Sequence, residues 1–284
     1  MNVIEINIGD RRYPKQLMRI QSPPKKLYCA GDISLLDSRC VCVVGSRKTS
    51  EYGRWAAGKT AERLAFHGIT VVSGLAMGID TCAHKGALDV HGKTIAVLGC
   101  GIDIPYPWAN RELKERIIRE GLVITEYPPG RQATKYTFPQ RNRIISGLSE
   151  CGVVAEAGLN SGALITAELV DAQSDQVFVI PGNINSASSI GSNMLLRDGA
   201  VPLVVIDDIL EYLGIERREE TGRMKYLGSD EKKVFEALQS GGEMTIDSIS
   251  EAVREGAGKV TGIVTVLEMK GLVYTALGKV FIAK

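Results

Sequence analysis

From Arg39 onward, short apolar runs alternate with helix-length amphipathic segments. The runs are VCVVG (41–45), ITVVSG (69–74), TIAVLG (94–99), LVITE (122–126), CGVVAEA (151–157), QVFVIPG (176–182) and VPLVVI (201–206). They are rich in Val and Ile and do not alternate with polar residues, the pattern of strands buried on both faces of a parallel sheet. Between them, residues 51–67, 79–91, 110–120, 162–174 and 190–199 carry apolar positions at three-to-four spacing, which predicts helices. Ile79, Cys82, Ala83, Ala87 and Val90, for example, share one face. The pattern predicts an α/β domain over 38–214, a doubly wound, mostly parallel sheet with its ligand sites at the carboxyl ends of the strands.

The flanks read differently. Residues 1–37 hold Pro14, Pro23 and Pro24 and read as an irregular lead-in strapped onto the sheet. IERREETGRMKYLG (215–228) has seven charges and no apolar period, so it reads as a linker. Beyond it, Asp230–Gln239, Thr245–Val253 and Gly258–Lys270 read as helices, and Leu272–Thr275 and Lys279–Ala283 as strands. That order predicts a small winged helix-turn-helix domain over 229–284.

Composition narrows the function. Hydrophobic residues are 44% and charged residues 24% of 284, enough for a packed core and against disorder. With 34 basic and 33 acidic residues the net charge is +1, so any anion site must be local. The start MNVIEINIGD has neither a basic nor an apolar signal region, and no apolar run is long enough to span a membrane. The six cysteines form no C-x-x-C pair, and His67, His84 and His91 sit in helical stretches without ligand spacing. These features predict a cytoplasmic protein with no metal site.

Familiar enzyme motifs fail on context. Gly53–Thr60, GRWAAGKT, matches the phosphate-loop pattern letter for letter, but it lies eight residues beyond the strand end, inside a helix that needs Ala57, Ala61, Leu64 and Ala65 in phase. After the first run the sequence is GSRKTS, not G-x-G-x-x-G, and prolines interrupt Gly99-Cys100-Gly101. Glu126 and Glu156 stand at two strand ends, where structural carboxylates are as ordinary as catalytic ones.

What remains is a set of strand-end loops suited to phosphate. Ser46, Arg47 and Lys48 follow the first run, and Ser73 and Gly74 the second. Asn160-Ser161-Gly162-Ala163 opens a helix with Thr166 one turn in, and Ser188–Asn193 follows QVFVIPG. The segment Tyr127–Ser149 holds Arg131, Lys135, Arg141 and Arg143, no acids, and Tyr136 and Phe138 between the cations. Cations for phosphates and a ring for an unstacked base suit single-stranded nucleic acid. Residues 11–63 add 12 basic against 4 acidic side chains. By contrast, the third C-terminal helix opens with only Lys259 and Thr261 and has no Arg, Asn or Gln, which argues for protein contact or weak accessory backbone binding over duplex reading.

VGSRKTSEYG (44–53), SGLAMGID (73–80), AVLGCGIDIPYPWAN (96–110), TEYPPG (125–130), FPQRNRIISGLS (138–149), NSGALITA (160–167) and VFVIPGNINSASSIGSNMLLRDGA (177–200) resemble the DNA-processing protein A family (DprA, also called Smf). The resemblance runs over about residues 11–284. It implies an extended Rossmann domain that binds single-stranded DNA without sequence preference, usually as a homodimer, and delivers it to the RecA recombinase in natural transformation. It implies no cofactor and no catalysis. By the same resemblance, Ser46 and Arg47 fall on the first phosphate loop. Lys135 and Phe138 match its K-x-x-F, Arg141, Asn142 and Arg143 its R-N-R, and Ser161 and Gly162 its S-G helix start. Many members carry an N-terminal helical domain, for which the residues before Arg11 are too few. Ala163 and Glu168 also depart from the expected serine and neutral or basic residue. The rival reading is a nucleoside-monophosphate glycosidase of the LOG type, whose P-G-G-x-G-T-x-x-E is replaced here by residues 159–168, LNSGALITAE. An ATPase stands further off.

Overall fold

The structure, a computed structural model, describes residues 2–173, 175–216, 227–276 and 278–282. Residues 217–226 of the expected linker lie outside the described residues. The chain divides into two compact units, Met1–Arg217 and Arg218–Lys284.

In the first unit the strands are β1 (Ile4–Asn7), β2 (Lys26–Gly31), β3 (Cys40–Gly45), β4 (Thr70–Ser73), β5 (Thr94–Val97), β6 (Leu122–Thr125), β7 (Cys151–Glu156), β8 (Gln176–Val179) and β9 (Val201–Pro202). They form one sheet in the order β1-β2-β6-β5-β4-β3-β7-β8-β9. From β6 to β9 every pairing is parallel, while β2 joins β6 and β1 joins β2 antiparallel. The helices are α1 (Glu51–Phe66), α2 (Ile79–Asp89), α3 (Arg111–Glu120), α4 (Thr137–Gly147), α5 (Gly162–Ala172), α6 (Ile190–Arg197) and α7 (Asp208–Tyr212). The expected doubly wound, mostly parallel sheet is therefore present.

β3 shows why the unbroken apolar runs become central strands. Val41 and Val43 pack into the layer under α1 and α2, with Ala57, Ala61, Leu64 and Ala83. Cys40, Cys42 and Val44 face the opposite layer, with Ile144 and Ile145 of α4 and Ala167 and Val170 of α5. Both faces are dry, and each buried Val contributes about 1.5–3 kcal/mol. The cysteines act as apolar filler, burial pushing the Cys40 and Cys42 thiols up to about 12.

Three expectations need correction. The lead-in is not irregular: Ile4-Glu5-Ile6-Asn7 alternates its burial as an edge strand does, and Leu27 and Cys29 of β2 enter the core. Its prolines lie between these strands, where Tyr13 Oη donates to the Pro24 carbonyl at 2.7 Å. VPLVVI forms only the two-residue β9, after which Val204 and Val205 are exposed. His91 stands just past α2, in the left-handed region at φ 56°.

The second unit holds α8 (Ser229–Gly241), α9 (Ile246–Val253), α10 (Ala257–Met269) and the antiparallel strands β10 (Val273–Ala276) and β11 (Lys279–Ile282). Val234, Leu238, Ile249, Val260, Val264, Leu267 and Val280 form its core.

Candidate functional site

The sheet order sets the site. The chain runs β3, β4, β5, β6 toward one edge, then returns to the other side of β3 with β7. The loops after β3 and β7 therefore diverge, leaving the crevice where doubly wound sheets take ligands. The register of the pair slips between Val44 and Gly45, and Ser46 N–H donates to the Glu156 carbonyl at 2.7 Å. Beyond this point lies a cavity of about 470 Å3.

Nine residues singled out from the sequence line it: Ser46, Arg47, Lys48, Phe138, Arg141, Asn142, Ser161, Gly162 and Thr166. The loop after β3 and the start of α4 meet there, with the Arg47 guanidinium over the Phe138 ring at 4.9 Å. Arg47 and Lys48 are exposed, whereas Ser46 Oγ is engaged within its own turn, accepting from Lys48 N–H at 3.2 Å. Ser161 caps α5, its Oγ accepting from Ala163 N–H at 3.3 Å, so that the positive end of the helix dipole is at the cavity. Asn142 reaches the Gly162 carbonyl from α4 at 3.4 Å.

Arg141 is the buried centre of the site, 4% exposed. It donates to the Val97 carbonyl, and its Nε is buried without a partner among the described residues. Burial pushes its guanidinium below the ordinary value, and neighbouring Asp80 opposes this. Burial likewise pushes the Asp80 carboxyl up, against the pull of Arg141 and two backbone donors. The two groups are mutual counterweights in a low-dielectric wall.

Four predicted residues do not reach the cavity. Ser73 is fully buried and donates to the Val43 carbonyl at 2.7 Å. Gly74 has its N–H on the Asp80 carboxylate at 3.1 Å, as Ala76 does at 3.3 Å. An internal carboxylate thus occupies the anion position offered by this loop. Arg143 leaves the cavity because α4 turns it to Glu126, with which it forms an ion pair. Lys135 stays outside, exposed, with Nζ 5.1 Å from the Tyr136 ring. The loop Ser188–Asn193 is structural too: Ser188 Oγ donates to Glu156 at 2.7 Å and Ser192 Oγ accepts from Ala157 N–H at 2.7 Å. Glu156 also accepts from Ser50 N–H at 2.8 Å, so both strand-end glutamates hold local structure. GRWAAGKT lies inside α1.

Asp80 lines the site but was not singled out, and nor was Tyr106, which borders it. Asp80 opens a helix two residues after Gly78, where a carboxylate can reach back to loop amides. Tyr106 packs its ring 5.5 Å from that of Phe138. Only the proximity of Gly74 to Arg141 makes Gly74 matter: a methyl group there overlaps the guanidinium. Gly74→Ala is expected to cost about 1–3 kcal/mol, read by urea unfolding, because the wall is already close-packed. An unchanged midpoint would show that Arg141 relaxes freely.

The description "DNA recombination-mediator protein A" belongs to the family model that matches residues 5–214. The chain belongs to this family. A putative DNA processing protein DprA from Mycobacterium tuberculosis is 39% identical over 82% of the chain, which spans 62% of that relative. The X-ray structure of DNA processing protein A from Streptococcus pneumoniae superposes with a TM-score of 0.71 at 41% identity, covering 77% of this chain and 76% of that one. DNA processing protein A from Helicobacter pylori, solved for its single-stranded DNA binding mode, gives 0.69 at 33% identity, covering 75% and 96%. Among the described residues of this family member, no helix is long and apolar enough to cross a membrane.

Proposed function

We propose that the protein binds single-stranded DNA, without sequence preference and without turnover, in the cavity between the β3 and β7 loops. The observation that carries this reading is the meeting of Arg47 with Phe138 at 4.9 Å on the rim of a cavity whose inner wall is Arg141. Arg47, Lys48 and the α5 amides take phosphates, and the Phe138 ring, half-buried with Arg47 against it, takes an unstacked base. Kinship with the Helicobacter pylori protein supports the choice of single strand. The reading extends to delivery of the strand to RecA recombinase by a cytoplasmic homodimer during natural transformation. The second unit, as a winged-helix module, serves protein contact: Lys259, the one cation within α10, is tied to Asp230 at 2.8 Å and Glu255 at 3.0 Å.

An electrophoretic titration of single strand, duplex and mononucleotide at two salt concentrations tests it. Single strand is expected to bind tightest, with affinity falling with log salt by about 0.7 per neutralised phosphate. Arg47→Ala is expected to weaken all sequences alike and flatten that slope by one such step, and Phe138→Ala to cost about 2 kcal/mol. Tighter duplex binding, or release of free base from a nucleotide, would overturn the reading, the latter in favour of a glycosidase.

A further inference from the structure

The loop after β5 carries two aromatic side chains that the cavity does not use. Tyr106 is 40% and Trp108 64% exposed, flanked by Pro105 and Pro107. Such area left in water is unrecovered burial unless something covers it. The Tyr106 ring lies 5.5 Å from Phe138, so this loop begins where the first cavity ends. Three residues beyond Trp108, the Arg111 guanidinium lies over its ring at 4.7 Å, backing part of the indole and leaving the rest open.

A second cavity, of about 430 Å3, adjoins this pair; Pro105, Arg111, Lys114 and Arg119 are among its walls, with the acids Asp103 and Glu115. Asp103 is occupied, accepting from Gly130 N–H at 2.9 Å. Lys114 Nζ donates to the Ile102 and Ile104 carbonyls at 2.7 and 2.8 Å, fixing the loop to α3. Arg111 and Arg119 remain as the exposed cations. The Arg111 pair with Glu112, at 3.3 Å with the glutamate 84% exposed, is the weak surface kind that a phosphate displaces.

We infer that Tyr106, Trp108 and Arg111 form a second nucleotide subsite on the same strand path. Single-stranded DNA leaving the first cavity past Phe138 stacks a further base on the open indole face and sets a phosphate on Arg111 and Arg119. This rests on the single-strand reading and adds a minimum strand length to it.

The chain has two tryptophans, so in Trp55→Phe the emission reports Trp108 alone. Oligothymidines of about 4 and about 12 nucleotides, within the span of single-strand sites, are titrated against it. The longer strand is expected to quench Trp108 and to bind about tenfold tighter than the shorter. Adding Trp108→Ala is expected to remove most of that gain, and Arg111→Ala to lower the longer strand's salt slope by about 0.7. Unmoved Trp108 emission, with the longer strand bound equally well after Trp108→Ala, overturns the second subsite while leaving the first intact. Failure of both strands to bind overturns the single-strand reading itself.

Discussion

Arg141→Met is expected to lower the free energy of unfolding by about 3 kcal/mol and to remove single-strand binding together with it. The lost hydrogen bond from a charged donor to the Val97 carbonyl is worth about 1.5–3 kcal/mol. The rest comes from Asp80, left in the cavity wall without its nearest cation. Urea unfolding of Asp80→Asn, Arg141→Met and the double variant separates these contributions. The double variant is expected to lose less than the sum of the singles, because the burial cost of each charge goes uncompensated only when its partner alone is removed. Strict additivity would show that the two charges ignore one another.

Acid should destabilise the first unit through His84. Its side chain is fully buried, with Nδ1 2.7 Å from Thr94 Oγ1 and Nε2 without a partner among the described residues. Thr94 Oγ1 already donates to the Val71 carbonyl, so it accepts from Nδ1–H. Burial, reinforced by the Arg141 charge, pushes the imidazole down from 6.5 to about 3. Between those values the unfolded chain holds a proton that the folded chain refuses, so stability is present above the unfolded value and is lost as pH falls. From pH 7 to pH 3 the loss reaches about 4–5 kcal/mol, and about 2–3 kcal/mol of it is gone by pH 4.5. Asp80, pushed the other way, contributes with opposite sign in parent and variant alike. Urea midpoints for the parent and His84→Gln at pH 7 and 4.5 should converge on acidification. Parallel curves would place the acid sensitivity elsewhere.

The sheet could be read from the chain because its central strands are dry on both faces, and an uninterrupted Val/Ile run has few other uses. β1 and β2 escaped that reading for the complementary reason. They sit at one side of the sheet, half of each strand faces outward, and the prolines between them draw the eye to a loop. The site was legible as a list of cations, rings and glycines, but its sorting was not. Arg141 and Arg143 are two residues apart on one helix, and the turn of that helix sends the first into the cavity and the second to Glu126. Composition cannot distinguish them, since the partner of Arg143 is Glu126, at the end of the strand that precedes the helix. Ser73 and Gly74 look like an anion loop and are one, with the anion supplied by Asp80 from within the chain.

The cavity draws one wall from residues 44–48 with Ala76 and Asp80 and the other from 138–166, segments joined where β7 docks beside β3. A half-made chain, or one whose sheet has opened along that seam, therefore has no grip at all. Occupancy should act as a clamp across the seam: mass action makes opening rarer as ligand concentration rises. The same interlock means that the cavity exists only after the molecule's own assembly is finished.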